Sequence, residues 1–484
     1  MRHQITLLPQ QVNIEADHGG NLLQVLRCAG VRMDAPCGGN GRCGKCRVLV
    51  DGAEQLACQT TVCQDMTVTL PQELPMKILA QGAYDPAANG KGYALAFDIG
   101  TTTLAGFLMF DGRQIGQVSR PNPQAAFGAD VVSRIQGALK GHMDRLTGLI
   151  REALTEITLE LCQEAAIAAE EIKTVCIVGN PAMQQIFLGI LPDNLAKIPF
   201  SPILTQGETR AARDYLPCCK KAKLLIVPNI SGFVGADTVA CVLATKLDQE
   251  EVLTLLVDIG TNGEMVLGNR HRMVACSTAA GPALEGANIS CGMTARPGAI
   301  DHVWLEDEKF QWSVIGGGGQ ATGICGSGLV DAVAAALDAG MLNQRGKILT
   351  ESGVIPLAGD LFLTQEDIRQ VQLAKGAIAA GIRLMAAHLS VPLEEIRQVY
   401  LAGAFGSFLR KASACRIGLL PPVLEEKIQA VGNGAGSGAQ WIAADEGMLA
   451  RAQQIRERTE HLDLATLPRF PREFAKMMMF EVEG

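Results

Sequence analysis

"YALAFDIGTTTLAGFLMFDG", residues 93–112, and "TLLVDIGTNGEMVLGNRHR", residues 254–272, are two versions of one phrase. Each opens with an apolar run that reads as a buried strand, places an aspartate at its end, turns through Gly-Thr and resumes as a second apolar strand. Asp98 and Asp258 stand 160 positions apart, far beyond the roughly 20–50 residues that space the units of a solenoid. The repetition therefore predicts two copies of one subdomain. In each turn, Gly100 or Gly260 lets the backbone come close to an oxyanion. Thr101, Thr102, Thr103 and Thr261 offer hydroxyl and N–H donors to phosphate oxygens. Asp98 and Asp258 are hard oxygen ligands for Mg2+ or its waters. One Asp-x-Gly-Thr is also an ordinary turn, but two copies with the same flanking strands point to a phosphate site with its metal.

Further along, "IRQVYLAGAFGSFL" at 396–409 reads as a strand, a glycine turn holding Gly403 and Gly406, and a helix. "ATGICGSGLVDAVAAAL" at 321–337 is another glycine turn opening a helix, either a cleft wall whose N-terminus favours anions or a tight helix entry. "GGGG" at 316–319 lacks a strand-GxxxxGK-helix context and reads as a flexible loop. In "HMDRLTGLIREALTEITLELC", residues 142–162, Leu146, Leu149, Ile150, Leu154, Ile157 and Leu161 recur at helical spacing, as core or as a dimer surface.

Ahead of the first aspartate lies a different chemistry. "DAPCGGNGRCGKCRVLV" at 34–50 crowds Cys37, Cys43 and Cys46 into a glycine-rich loop, and Cys58 returns beyond a hairpin, giving C-x5-C-x2-C-x11-C. Three close thiolates and a distant fourth suit a [2Fe-2S] cluster of the plant ferredoxin type. Glycines let backbone N–H groups approach the sulfurs, and Arg42, Lys45 and Arg47 offset the cluster's negative charge. A structural zinc site prefers two short Cys pairs, and only Cys43 and Cys46 form one. Short strands around one helix, "NLLQVLRCAG", make residues 1–70 a small β-rich domain. Residues 71–92, "PQELPMKILAQGAYDPAANGKG", hold no sustained period and read as a linker, spanning about 25 Å if flexible. The first lobe then covers 93–250 and the second 251–484.

Composition bounds the rest. The chain has 484 residues, 48% hydrophobic, with 42 basic against 50 acidic side chains and a net charge of −8. That balance leaves no footprint for nucleic acid or an anionic membrane. No signal pattern and no uncharged apolar run of membrane-spanning length is found, so the expected location is cytoplasmic. Its 15 cysteines are an odd number, and scattered ones such as Cys162, Cys176, Cys241 and Cys276 lie in apolar surroundings as buried free thiols.

The repeated Asp-Ile-Gly-Thr resembles the two phosphate motifs of the superfamily of acetate and sugar kinases, Hsp70 and actin, whose ribonuclease-H-like lobes close on ATP. The resemblance implies an α/β multidomain fold: an N-terminal β-grasp ferredoxin-like domain, then duplicated ATPase lobes, with Gly403 and Gly406 at the adenosine. It also implies Asp98 and Asp258 as catalytic metal-binding residues. Asn262, following the second turn, is a candidate to orient the attacking water. Nearly end to end, the chain resembles the ATP-dependent reductive activators of corrinoid proteins. The shared stretches are the cysteine loop, "FDIGTTT", "VGNPAM" (178–183), "PNISGFVGADTVA" (228–240), "STAAGPALEGANISCGM" (277–293), "LAGAFG" and "FPREFAKMMMF" (470–480). Pro181 stands where the family carries threonine, so Asn180 receives no catalytic role. "LAC" at 56–58 resembles the fourth-ligand position of ferredoxin domains, which favours Cys58 over the nearby Cys63.

The resemblance implies one-electron transfer from the [2Fe-2S] cluster to Co(II) of a corrinoid protein in a methyltransferase system, restoring Co(I) at the expense of Mg-ATP. An upstream electron donor is expected, nucleic acid and membrane are not, and a homodimer stays open. The corrinoid belongs to the partner, because no D-x-H-x-x-G occurs here. Two other readings remain: an electron-transfer module that nucleotide switches without turnover, and a small-molecule kinase with a cluster as redox sensor.

Overall fold

A computed structural model describes residues 2–8, 11–29, 31, 33, 39, 41, 46–70, 90–128, 130–317 and 320–480. Its chain divides into two compact units. The first holds strands β1 (Arg2–Leu8), β2 (Val12–Asp17), β3 (Arg47–Val50), β4 (Ala53–Leu56) and β5 (Met66–Thr69), with helix α1 (Leu22–Cys28). The five strands form one sheet in the order β2-β1-β5-β3-β4, in which β1 and β5 run parallel and the other pairs antiparallel. Asn21 starts α1 by accepting from the Gln24 N–H, the usual N-cap arrangement. Leu22, Leu23 and Leu26 then bury one helix face in a core with Ile5, Leu7, Val48, Val50, Val62 and Val68. A helix laid on a mixed sheet whose first and last strands are parallel neighbours is the β-grasp arrangement expected for residues 1–70.

The second unit repeats one topology. Strands β6 (Tyr93–Ile99), β7 (Thr103–Phe110), β8 (Arg113–Pro121), β9 (Ile172–Gly179), β10 (Glu208–Ala211) and β11 (Lys223–Ile226) make one six-stranded sheet, in the order β10-β11-β9-β6-β7-β8. In the other sheet, β12 (Thr254–Ile259), β13 (Gly263–Gly268) and β14 (Met273–Thr278) are the meander. Further strands β15 (Ala299–Glu306), β16 (Lys309–Val314), β17 (Gly323–Ile324), β18 (Ile355–Pro356) and β19 (Phe362–Leu363) form a three-stranded sheet and a two-stranded one. The meander sheet resumes with β20 (Gln398–Ala402), β21 (Ile428–Gly432) and β22 (Thr459–His461), in the order β21-β20-β12-β13-β14-β22. Strip the added edge strands β10 and β22, and both sheets are an antiparallel three-strand meander extended by two parallel strands.

The helices repeat as well. They are α2 (Val131–Gly137), α3 (Met143–Glu164), α4 (Pro181–Leu188), α5 (Ala236–Thr245), α6 (Gly326–Asp338), α7 (Gln365–Leu389), α8 (Gly403–Phe408), α9 (Lys411–Arg416), α10 (Gly434–Ala444), α11 (Gly447–Arg458) and α12 (Phe470–Met477). α3 covers β7 and β8, and α7 covers β13 and β14. Leu146, Ile150, Leu154, Ile157 and Leu161 are all buried, so of the two readings of that stripe the structure supports core. α5 and α10, each following the fifth strand of its own sheet, pack on one another, and α10 also lies against β6, β7 and β9. A shared core results, running from Ala94, Ala96 and Phe107 through Val239 and Val242 to Leu256, Val266, Ala402, Ala439 and Ile442. It draws residues from both sides of position 250, where the sequence divides the lobes.

Candidate functional site

The cysteine loop comes first. Cys37 and Cys43 lie outside the described residues, as do Gly38, Gly44, Arg42, Lys45 and residues 71–89 of the linker. Cys46 and Cys58 are both buried and face one another, with the Cys58 N–H directed at Cys46 Sγ at 3.5 Å. Burial pushes the Cys46 thiol up, opposed by that N–H and reinforced by Cys58. A thiolate there is therefore costly until a cation binds it. Two loop glycines touch the same corner: a β-carbon on Gly39 would stand 3.8 Å from Cys58 Cβ, and one on Gly41 would collide with Gln59 at 2.4 Å. Both have positive φ, 93° and 71°. Gly39 and Gly41 thus lie against the segment carrying Cys58, whereas Cys63 is exposed. The buried Cys46 and Cys58 sulfurs, with a backbone N–H directed at one of them, fit two ligands of an iron–sulfur cluster.

The two repeated aspartates meet. Asp98 ends β6, Asp258 ends β12, and Asp237 occupies the first turn of α5. Each is half-buried, enclosed on most sides yet still touched by water. Burial raises Asp98 to about 7, with Asp237 adding repulsion and a hydrogen bond from Asn433 Nδ2 at 3.0 Å opposing it. Burial also raises Asp258 to about 7, helped by Asp237 and Asp98. Asp237 rises to about 6 despite the Thr238 N–H it accepts at 2.8 Å. Glu264, on β13, is driven well above the ordinary range by burial and by Asp237 and Asp258. Four carboxylates close enough to oppose each other's ionisation call for a cation. Among the described residues, no three metal-ligating side chains converge tightly enough to chelate one alone. That fits Mg2+, which is commonly held by one or two carboxylates together with nucleotide phosphates and water.

The turns beside these aspartates are built differently. In the first, Asn122 is buried and donates to the Gly100 carbonyl at 2.9 Å, while its N–H bonds the Thr102 carbonyl at 2.8 Å. Buried Arg134 donates to the Thr101 carbonyl and, at 3.0 Å, to Met183 Sδ. Asn180 caps α4 through the Met183 N–H and donates to Thr101 Oγ1 at 3.0 Å. Because Thr101 accepts there, its own proton stays available for a phosphate oxygen. In the second turn, the Gly260 N–H bonds the Asn262 carbonyl at 2.9 Å, and Thr261 Oγ1 donates to Glu285 at 2.8 Å. The Thr261 N–H also bonds Glu285, so this turn holds its threonine against a carboxylate where the first leaves Thr101 free to donate.

Glycine placement explains the close approach of elements here. Gly403 has φ 84° and a β-carbon on it would stand 2.7 Å from Asp258 Oδ1. One on Gly235 would meet Asp237 Oδ1 at 2.7 Å and the Gly179 carbonyl at 2.8 Å. The sequence places both Gly403 and Gly406 in a turn; the structure corrects the second, because α8 begins directly at Gly403 and Gly406 lies inside it, packed on Leu401. The "GICGSG" glycines open α6 as expected, with Gly326 against the Leu284 carbonyl, so tight packing requires glycine there. In "GGGG", Gly318 and Gly319 lie outside the described residues. Sequence reading missed Asp237, Glu264, Asn433, Asn122 and Arg134, since none lies in the repeated phrase's Asp-x-Gly-Thr.

A profile described as the 2Fe-2S iron-sulfur cluster binding domain matches residues 5–63, one described as the RACo middle region matches 93–250, and the C-terminal domain of RACo, the ASKHA domain, matches 252–484. Fold and sites therefore define a class: a two-lobed ATPase of the actin, Hsp70 and sugar-kinase type joined to a [2Fe-2S] domain. The chain is 36% identical over 420 residues, 80% of its length and 70% of the relative's, to the corrinoid activation enzyme RamQ of Eubacterium limosum. It is 26% identical over 379 residues, 71% of its length and 68% of the relative's, to the [Co(II) methylated amine-specific corrinoid protein] reductase of Methanosarcina barkeri. A solved structure titled reductive activator for corrinoid, iron-sulfur protein superimposes with a TM-score of 0.72 at 27% identity, covering 99% of this chain and 98% of that one. This chain belongs to the RACo family of corrinoid-protein activators.

Proposed function

We propose that the protein restores the Co(I) state of a corrinoid protein by giving it one electron in a reaction driven by Mg-ATP. What carries this reading is the presence, on one chain of the RACo family, of a ferredoxin-like domain and a duplicated pair of phosphate turns whose aspartates converge. The cluster supplies the one-electron step when bound. Plant-type clusters lie near about −400 mV, and every further 100 mV uphill costs about 2.3 kcal/mol per electron. ATP supplies that difference if its binding or hydrolysis changes which complex with the corrinoid protein is stable.

In this reading Cys37, Cys43, Cys46 and Cys58 ligate the cluster, and an upstream one-electron donor reduces it. Asp98 and Asp258 hold Mg2+ and its waters, the turns at Gly100–Thr103 and Gly260–Thr261 take the phosphates, and Gly403 gives the nucleoside room beside Asp258. Asp237 joins Asn262 as a candidate to orient the attacking water, and burial, which raises its pKa to about 6, makes its carboxylate a better proton acceptor. The corrinoid cobalt is substrate and comes with the partner. Free cysteines throughout the described residues and the lack there of any helix long and apolar enough to cross a membrane support a cytoplasmic setting.

The test is to mix reduced protein with candidate Co(II) corrinoid proteins, with and without Mg-ATP, and follow Co(I) absorption. ATP-dependent Co(I) formation is expected. Cys58→Ala should lose the cluster spectrum, and Asp98→Ala should keep that spectrum while losing the ATP dependence. Failure with every corrinoid partner, from protein that holds cluster and hydrolyses ATP, would turn the reading toward a different acceptor.

A further inference from the structure

Two adjacent cysteines, Cys218 and Cys219, stand in the loop between β10 and β11, outside both the cluster motif and the phosphate turns. Their sulfurs are 3.9 Å apart, within hydrogen-bonding reach for sulfur. Cys219 is fully buried and Cys218 half-buried, so of the pair only Cys218 touches solvent. A third thiol, Cys162, faces them from α3. Burial, and then charge on Cys218, push Cys162 up to about 11. Thr158, one turn earlier on the same helix, also faces Cys218. The loop therefore packs its two sulfurs onto α3 beside a third.

The two neighbours are not equivalent. A hydrogen bond from the Cys219 S–H lowers Cys218 to about 7, against the opposing effect of burial. Cys219 moves the other way, driven well above the usual thiol range by that bond, by burial, and by charge on Cys218 and Cys162. Cys218 is thus the thiolate of the pair and Cys219 its thiol. The thiolate is the nucleophilic form, and an accessible thiolate beside a second cysteine that can resolve it is the arrangement that senses oxidants. A bond between these two would also be strained. Consecutive Cα atoms stand about 3.8 Å apart across a trans peptide, below the roughly 4.4 Å at which ordinary disulfides begin. Strained disulfides are readily reduced, which suits a reversible site and not a structural staple.

We propose that Cys218 and Cys219 form a reversible oxidation site for hydrogen peroxide in the first lobe, with Cys218 as the attacking thiol and Cys219 as the resolving one. The Cys218 thiolate attacks the peroxide O–O bond, becoming a sulfenic acid and releasing hydroxide, which a solvent proton converts to water. The Cys219 sulfur then attacks the sulfenic sulfur. An S–S bond forms, the S–O bond breaks, and the departing hydroxyl leaves as water with the Cys219 proton. The two sulfurs together give up two electrons, and peroxide takes them to become two waters.

The test uses the full chain with its cluster in place, treated with hydrogen peroxide, alkylated with iodoacetamide and cut with trypsin. Residues 214–220, "DYLPCCK", leave as one fragment that holds both cysteines and none of Cys37, Cys43, Cys46 and Cys58. Oxidation at the cluster therefore cannot imitate the result. Mass spectrometry should find this fragment unalkylated and lighter by two hydrogens, and dithiothreitol should restore both thiols. In Cys219→Ala the sulfenic acid should persist on Cys218 and be trapped by dimedone, whereas in Cys218→Ser residue 219 should stay a free thiol. Before oxidation, at pH 7, Cys218 should alkylate about fivefold faster than the exposed Cys28, because its larger thiolate fraction outweighs its weaker nucleophilicity. Two free thiols on the fragment after peroxide, a Cys162–Cys218 cross-link in place of the adjacent one, or slower labelling of Cys218 than of Cys28 would each overturn the proposal.

Discussion

Asp98, Asp237 and Asp258 are held where ionising any one raises the cost of ionising the others. Their pKa values, raised to about 7, 6 and 7, lie above the value of about 3.9 expected in an unfolded chain. Between roughly pH 4 and 7 the folded state therefore binds more protons than the unfolded one, so stability falls as pH rises through that window and levels off above it. Mg2+ with nucleotide binds the ionised form, so its stabilising effect grows over the same window. We expect calorimetry of the ligand-free protein to show a falling unfolding temperature from pH 5 to pH 7.5, and a larger Mg-ADP increment at pH 7.5 than at pH 5.5. His461, lowered by burial, works in the opposite sense, so the informative quantity is the difference between parent and Asp237→Asn. That variant should flatten the fall; an identical pH profile would show that Asp237 is not coupled to the pair. Asp98 and Asp258 were legible because the chain writes their phrase twice, with strands on both sides. Asp237 was not, because an aspartate in the first turn of a helix is ordinarily a favourable partner of the helix dipole, and only the crossing of two sheets makes it a neighbour of the others.

At the level of elements, the pair α5 and α10 joins the lobes, and its contact is built of glycine. A β-carbon on Gly438 would fall 2.0 Å from the Ala240 carbonyl, and one on Gly434 would fall 2.3 Å from Cys241 Sγ. Asn433, the residue that caps α10 through the Gly436 N–H, also donates to Asp98. One helix start thus ties the crossing point to the first phosphate turn. Gly438→Val should cost about 1–3 kcal/mol, as overpacked interiors do, and should slow ATP turnover while leaving the cluster's absorption unchanged. Equal turnover in a folded variant would mean that the crossing merely holds the lobes and has no bearing on the site. This element also marks where sequence reading runs out. "GAGSGAQWIAA" carries three glycines, each costing about 1 kcal/mol relative to alanine in a helix, so local propensity argues against helix. Close packing on α5 overrides it, and that partner lies about two hundred positions away. The two meanders, by contrast, were legible from apolar runs and turn residues inside single windows, and α3 from its apolar period.

For the molecule as a whole, the question is why a carrier and an ATPase share a chain. The N-terminal sheet has its own core and the lobes share another, so each half is expected to fold when expressed separately. If function needs the carrier to visit both an electron donor and a corrinoid partner held by the lobes, the 71–92 segment acts as a tether. Such a tether sets an effective concentration that reaches the millimolar range for short flexible linkers. The isolated cluster domain should then accept electrons from a chemical reductant without sustaining ATP-dependent Co(I) formation. The isolated lobes should hydrolyse ATP without moving electrons. Mixed as separate polypeptides at about 1 μM, the halves should work roughly a hundredfold or more slower than the intact chain, because each encounter must be won from bulk solution. The deficit should shrink as the cluster domain is raised toward millimolar. Co(I) absorption against concentration measures this directly. A mixture as fast as the intact protein at 1 μM would show that the tether contributes nothing to electron delivery. The coupling between nucleotide and cobalt would then have to be carried by the lobes and their corrinoid partner alone.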